Sequence, residues 1–360
     1  MPVILTNDFP PAVGGIQRYI ERVAAELHAL GHAVVVVAPK SEEPRATLPY
    51  DVIPFERDRG RVASMVSMRR ALAEARERAN DRVTIASSWF PAGVVAARFG
   101  GKAPGTLAIL AFGTEIVRQD SGFRRAAMRS VFARADAILS ISRYTSERLR
   151  EAGVARAPVV VGCAVDPWNA RPAPARVPTI LSVGRLVRRK GFDRVIAALP
   201  ALVRSHRGLV YEIVGDGPDR AYLQAEAMRH GVAQHVRFLE SVDDVQLRAA
   251  YDRAWCFALA VRREPHDVEG FGIVYLEAAV AGIAAVGGIG SGAEDAIVHG
   301  HTGLLVDGTS DAQVAHALDV LLRDRIFAAK LGAAARERAL RDFSWRHVGV
   351  RIAQSVGLAC

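Results

Sequence analysis

The chain reads as an α/β protein built from two doubly wound domains, and three features of its sequence carry that reading. Short β-branched runs alternate with longer amphipathic stretches along the whole length. The alternation restarts after a proline-rich segment near residue 170. The 360 residues strain a single core but suit two domains of ordinary size.

Val3-Ile4-Leu5-Thr6 and Ala33-Val34-Val35-Val36-Val37 read as buried strands. Between them Ile16, Tyr19, Ile20, Val23, Leu27 and Leu30 recur at helical spacing, so the chain opens with a βαβ unit over a parallel sheet. Val83–Ala86, Thr106–Leu110 and Ala137–Ser140 continue the strands of the first half. Residues 166–178 hold Pro167, Pro172, Pro174 and Pro178, which fix φ and donate no amide, and are read as a linker. Thr179–Val183, Tyr211–Val214, Val236–Phe238 and Cys256–Leu259 then repeat the rhythm. The expected division is 1–165, linker 166–178, 179–342, and a last helix in 343–360 that returns to the first domain. In such sheets ligands bind beyond the carboxyl ends of the strands, which places the expected site in the cleft between the domains.

Half of the residues are apolar and a quarter are charged, as in ordinary globular proteins. Cys163, Cys256 and Cys360 lie far apart without a CxxC pair, which fits a reducing compartment. Neither a cleavable leader nor an apolar run of membrane-spanning length is seen, so the expectation is a cytoplasmic protein. The formal charge of +9 is uneven: residues 1–164 carry 23 Lys and Arg against 16 Asp and Glu, the remainder 24 against 22. A basic excess in one half suits an anionic surface or substrate facing it. No motif that reads bases accompanies the charge, so nucleic acid is not an expected partner.

Three segments carry candidate chemistry. Gly14 and Gly15 open the first helix, where bare backbone amides and the helix dipole favour an anion. The spacing falls short of GxGxxG and argues against a dinucleotide. After the first strand of the second half, Gly184-Arg185-Leu186-Val187-Arg188-Arg189-Lys190-Gly191 offers a planar guanidinium at Arg185 and an ammonium at Lys190, a pair suited to a diphosphate. The most specific segment is Glu269-Gly270-Phe271-Gly272-Ile273-Val274-Tyr275-Leu276-Glu277. It sets one acid in a loop before a helix and a second about two turns on. With Val274, Leu276, Ala278 and Ala279 around it, Glu277 must either meet a polar ligand or bear a burial cost of several kcal/mol.

These segments, in this order, resemble the retaining glycosyltransferases of family 4, which have the GT-B fold of two Rossmann-like domains. The resemblance runs from about residue 3 to about residue 345 and takes in Ser140-Ile141-Ser142, Ile213-Val214-Gly215-Asp216-Gly217-Pro218 and His301–Val306. It implies a hexosyltransferase that moves a sugar from a nucleotide diphosphate to an acceptor hydroxyl. It further implies diphosphate contacts at Gly14, Gly15, Arg185 and Lys190, with nucleotide-sugar contacts around Gly215, Gly217, Phe271, Gly272 and Ile273. The ribose falls to Glu277 and the sugar hydroxyls to Glu269. The catalytic set is then Arg185, Lys190 and Glu269, with no metal and no other cofactor. Thr6–Pro11 and Asp267–Glu277 are similar in wording to the actinobacterial phosphatidylinositol-mannoside mannosyltransferases, which implies GDP-mannose before UDP-sugars as donor and a lipid-linked or glycan acceptor.

The chain departs from the family pattern at three places. Phe112-Gly113-Thr114-Glu115 has phenylalanine where a histidine is usual, Ser291-Gly292-Ala293-Glu294-Asp295 has lost its proline, and Ala260-Val261 replaces a Pro-Ser type of pair. The departures at Phe112 and Asp295 keep in view a nucleotide-sugar-binding protein without catalysis; a nucleotide-sugar 2-epimerase, with a similar two-domain fold and donor, is the other alternative. Residues 118–134 combine Arg118, Arg124, Arg125, Arg129 and Arg134 with Phe123, Met128, Val131 and Phe132. Read as an amphipathic helix, the segment could lie on the inner face of the cell membrane, arginines among phosphates and apolar side chains beneath. Read as a core helix, it hides the same apolar side chains.

Overall fold

The computed structural model describes residues 1–12, 14–43, 47–57, 60–79, 83–99, 105–117, 121–170, 172–240 and 242–360. The chain forms two compact units, Met1–Cys163 with Trp345–Cys360, and Ala164–Ser344.

In the first unit the elements are β1 (Pro2–Leu5), α1 (Gly15–Ala29), β2 (Val35–Pro39), β3 (Asp51–Phe55), α2 (Arg61–Ala79), β4 (Val83–Ala86), two π-helical turns (Trp89–Gly93 and Val95–Phe99), β5 (Thr106–Ala111), α3 (Thr114–Val117), α4 (Gly122–Phe132), β6 (Ala137–Ser140), α5 (Arg143–Glu151) and β7 (Val159–Val160). The seven strands lie in the order β3-β2-β1-β4-β5-β6-β7, all paired in parallel. The order reverses between β1 and β4, and the loops leaving those two strands open the crevice where doubly wound sheets take ligands. Val3, Leu5, Val35 and Val37 pack with Met68, Leu72 and Ala75 of α2. The stripe foreseen on α1 is real: Tyr19, Ile20, Val23, Ala24 and Leu27 are buried.

The amphipathic-membrane reading of 118–134 fails at its apolar side chains. Met128, Val131 and Phe132 are fully buried in that core, and drawing any of them out to face lipid would leave a cavity costing roughly 2–5 kcal/mol. Of the large apolar side chains singled out there, Phe123 is 83% exposed, and Arg124, Arg125, Arg129 and Arg134 are exposed with it; Arg118 and Asp120 lie outside the described residues. Among the described residues no helix is long and apolar enough to cross a membrane.

The second unit holds β8 (Thr179–Val183), a 3-10 turn (Arg188–Lys190), α6 (Phe192–Ser205), β9 (Val210–Val214), α7 (Arg220–Arg229), a second 3-10 turn (Ala233–His235), β10 (Val236–Leu239), α8 (Asp244–Arg253), β11 (Cys256–Leu259), α9 (Ile273–Val280), β12 (Ala285–Gly288), α10 (Ala293–Ala296), β13 (Gly303–Val306), α11 (Asp311–Arg323) and α12 (Arg325–Asp342). Its parallel sheet runs β10-β9-β8-β11-β12-β13 and reverses between β8 and β11. The proline-rich stretch lies along this unit: the Ala173 and Ala175 amides donate to the carbonyls of Asp252 and Arg253, and Trp255 Nε1 donates to Ala175 O at 2.8 Å. The last helix, α13 (Trp345–Ser355), packs in the first unit, with Trp345 edge-on to Tyr19 at 5.5 Å. Cys256 is buried on β11, and burial pushes its thiol up to about 12, so it is inert packing rather than a nucleophile.

Candidate active site

Two of the three sequence segments leave the strands that flank the reversal in the second sheet: the Gly184–Gly191 loop follows β8 and the loop carrying Glu269 follows β11. Backbone bonds lock the first to the loop after β9, Gly184 N to Val214 O at 2.9 Å and Leu186 N to Asp216 O at 2.9 Å. That closeness requires glycine. A Cβ on Gly215, at φ 131°, would stand 2.2 Å from Gly184 O, and one on Gly217 would stand 2.5 Å from Leu186 O. These two glycines therefore answer to the packing of their own loops.

The cations of the first loop divide by environment. Lys190 is buried, and its ammonium meets Glu269 at 2.5 Å while its last carbons and nitrogen pass 3.6 Å from the Cβ position of Gly184. The sequence reading made it a mobile point charge; the structure corrects this, because a short 3-10 turn aims it inward at a carboxylate. Arg189, passed over in the sequence, bonds the same Glu269 and also Asp267 at 3.0 Å. Burial pushes the Glu269 carboxyl up, but Lys190 and Arg189 outweigh it and hold the group below the ordinary glutamate range, so it stays ionised. Arg188 turns the other way, over the Tyr222 ring at 3.4 Å and toward Asp219. Arg185 is exposed and has no ion-pair partner among the described residues.

Glu269 leads into α9. Its Cγ lies 3.5 Å from the Cβ position of Gly272, and Gly272, at φ 85°, caps the helix without a side-chain bond, so the first amides of α9 stay available beside the Lys190–Glu269 pair. Phe271 is buried edge-on to Phe343 at 5.8 Å, which leaves only its backbone for a ligand. Ile273 begins the helix and is half-buried. Glu277 is half-buried too, and Tyr251 Oη donates to its Oε2 at 2.8 Å. Burial and the Glu277 charge keep the Tyr251 phenol protonated far above neutral pH, so it remains a donor. The sequence offered Glu277 either a ligand or a penalty; the fold gives one oxygen a phenolic partner. Tyr251→Phe is accordingly expected to cost about 1–3 kcal/mol of stability, seen in denaturant midpoints, and to weaken nucleotide diphosphate binding a few-fold in calorimetry by loosening the Glu277 carboxylate.

A buried acid behind the site was also missed. Asp193, at the start of α6, accepts from Arg262 at 2.8 Å and from Arg194 at 3.1 Å, and Arg262 N donates to Arg189 O. Burial raises the Asp193 carboxyl, but Arg262 and Arg194 win and hold it below its usual range. The pair ties the loop after β11 to the turn that aims Lys190. Single charged letters in sequence could not show which of three adjacent cations, or which loop acid, would be pinned.

In the first unit the third segment follows β1. Gly14 is the N-cap of α1 in an extended conformation, and a Cβ there would meet only the flexible end of Gln17; at Gly15 a Cβ would meet nothing. The fold gives neither position a steric need for glycine, unlike Gly215 and Gly217. Val13 lies outside the described residues. Gln17 Nε2 donates to Asp8 Oδ1 at 3.1 Å. Burial raises the Asp8 carboxyl, opposed by Arg57. Glu115 Oε1 accepts from the Phe112 amide at 2.6 Å; burial raises it, backbone amides from Phe112 to Glu115 oppose, and the Asp8 charge adds to the rise. Phe112 itself packs edge-on to Tyr19 at 5.3 Å.

Residues 14–164 match the Glycosyl transferase 4-like domain, and residues 169–338 match the family described as Glycosyl transferases group 1. The GDP-mannose-dependent alpha-(1-6)-phosphatidylinositol monomannoside mannosyltransferase of Mycolicibacterium smegmatis is 34% identical across 98% of this chain and 97% of its own length. This chain belongs to glycosyltransferase family 4. It is a retaining hexosyltransferase with the GT-B fold. The glycosyltransferase is also 30% identical to the glycogen synthase of Mycobacterium tuberculosis, over 98% of this chain and 93% of that protein. The fold is shared with sucrose-phosphate synthase from Thermosynechococcus elongatus, with a TM-score of 0.84 at 19% identity, covering 98% of this chain and 97% of the other.

Proposed function

We propose that the enzyme transfers mannose from GDP-mannose to a hydroxyl of an inositol phospholipid, with retention at the anomeric carbon. The observation that carries the donor half is Arg185: an exposed guanidinium without a carboxylate partner among the described residues, one residue from the Gly184 against which Lys190, the ion-pair partner of Glu269, packs. A cation left unpaired in a loop at a sheet reversal suits a diphosphate. The mannose and lipid parts rest on the 34% relative, which matches end to end. The positive first unit, with Phe123, Arg124 and Arg125 exposed, supports a cytoplasmic enzyme held peripherally at an anionic membrane face.

In this reading Glu277 takes the ribose hydroxyls, and the α9 amides, Arg185 and Lys190 meet the diphosphate. Glu269 holds Lys190 in place and accepts from sugar hydroxyls. The acceptor oxygen attacks on the face from which the diphosphate leaves, the C1–O bond to phosphate breaks, and the acceptor proton passes to the departing phosphate oxygen. Charge grows on that oxygen, so donors already fixed around it lower the barrier most. Side chains and backbone amides stabilise this charge, with no metal and no other cofactor. Gly14 and Gly15 admit the diphosphate or acceptor phosphate at the α1 N-terminus.

The test is turnover of phosphatidylinositol monomannoside with GDP-mannose, UDP-glucose and UDP-N-acetylglucosamine, with the product anomer read by NMR. An α-mannoside formed from GDP-mannose alone is the expected result. An epimerised sugar released without acceptor would establish the 2-epimerase reading, and nucleotide binding with no transfer to any acceptor would establish the non-catalytic one.

A further inference from the structure

The first unit contains a cavity of about 520 Å³ outside the loops described above, bounded by α2, the two π-helical turns and α4. That size suits a small-molecule ligand. Met65, Trp89, Val94 and Val131 supply apolar walls, Phe90 and Phe123 stand at its edge, and Ala127 leaves room between them. Phe123 is 83% exposed and Phe90 39%, while Val62, on the adjoining stripe of α2, is 78% exposed. An apolar patch left in water at this density marks a binding surface. Three arginines, Arg61, Arg98 and Arg124, line the same cavity, and none has a carboxylate partner among the described residues. Among the described residues Arg98 donates to Ser130 Oγ, at 2.9 Å.

Apolar walls with guanidinium groups that no carboxylate meets among the described residues match one kind of molecule, an acyl chain beneath an anionic head. A peptide helix would share the apolar walls, but three arginines around so small a cavity select a phosphate diester more directly. Position adds to the case. The Trp89 ring lines the cavity, and its Nε1 donates to Glu115 O at 3.0 Å, so the cavity wall is bonded to the Phe112–Glu115 loop at the carboxyl end of β5.

We infer that this cavity takes an acyl chain of the acceptor phospholipid, with Arg61, Arg98 and Arg124 on its phosphate, so that the enzyme lifts part of the lipid out of the bilayer rather than meeting its head group alone. The inference rests on the lipid-acceptor reading above. Each buried methylene is worth about fourfold in affinity, so four of them contribute about 10²-fold.

The experiment is calorimetric titration with dioctanoyl phosphatidylinositol, below the concentration at which it forms micelles, and with water-soluble glycerophosphoinositol. The acylated probe is expected to bind at least about 30-fold more tightly. Ala127→Trp, which fills the cavity, and Phe123→Asp, at an exposed position that folding does not need, are each expected to erase that advantage. The pair Arg61→Gln and Arg124→Gln is expected to weaken dioctanoyl phosphatidylinositol and glycerophosphoinositol alike, by about tenfold or more, because both carry the phosphate diester. Equal binding of the acylated and deacylated probes, or acyl-dependent binding that survives both Ala127→Trp and Phe123→Asp, overturns the inference. Binding through the cavity without mannosyl transfer sinks the proposed function and leaves the cavity site standing; transfer to soluble head groups without acyl-dependent binding does the reverse.

Discussion

Glu269→Ala is expected to lower both activity and stability, the first by at least about 10² in kcat and the second by about 3 kcal/mol. The stability figure follows from which charges lose a partner. Arg189 keeps Asp267 at 3.0 Å, but Lys190 is buried with Glu269 as its ion-pair partner. Breaking a buried pair by deleting one member costs roughly 3–5 kcal/mol, and with one cation still compensated the lower end applies. For a unit of this size that is a fall of about 6–12 °C in melting temperature. The pH dependence gives a sharper check. Against burial, Lys190 and Arg189 hold the Glu269 carboxyl below its ordinary value of 4.5. The unfolded chain therefore binds the proton first on acidification. The stabilisation is complete above about pH 4.5 and is lost as pH falls through the lower folded value. Melting curves from pH 7 to pH 3.5 should show the gap between wild type and variant closing only in the acid range. A gap that stays constant, or is absent at pH 7, would mean the cluster contributes nothing to the fold.

The same cluster shows where sequence reading stops. The presence of two sheets follows from local pattern: Thr179–Val183 and Cys256–Leu259 needed only apolar continuity to be recognised as strands. Asp51–Phe55 was missed because it carries Pro54 and an exposed Asp51, which suit an edge strand and blur the pattern. Gly303–Val306 appeared only within a family motif, although it forms one edge of the second sheet. Glu269, Glu277, Arg185 and Lys190 stood out because acids and cations cluster at loop–helix junctions. Their partners did not. Arg189, Tyr251 and Asp193 meet their counterparts 80, 26 and 69 positions away in the chain, and those pairings exist only once the elements around the sheet reversal are folded together. The cavity beside α4 was invisible for the same reason. Met128 and Phe132 share a helix with Phe123, yet the fold buries the first two and leaves the third at the rim.

Arg185→Ala is expected to separate catalysis from folding, which no change at Lys190 can do. Arg185 is exposed and unpaired among the described residues, so its removal should leave stability within about 0.5 kcal/mol of wild type. In the proposed mechanism, however, its guanidinium meets charge that grows on the departing diphosphate, and loss of one such fixed donor costs about 10²–10³ in kcat, or about 2.7–4 kcal/mol of barrier. Binding of the ground-state donor carries less of that charge, so KM for GDP-mannose should move much less than kcat. Arg185→Lys keeps the charge but loses the planar fork, and an intermediate rate is expected from it. Lys190→Ala should also slow turnover, but with a drop in melting temperature, because it strips a partner from Glu269, whose side chain is only 11% exposed. Steady-state kinetics at saturating donor, paired with melting curves for the three variants, make the comparison. Wild-type kcat in Arg185→Ala would remove the diphosphate contact from the mechanism, and a matching loss of stability would show that the exposed guanidinium serves the fold instead.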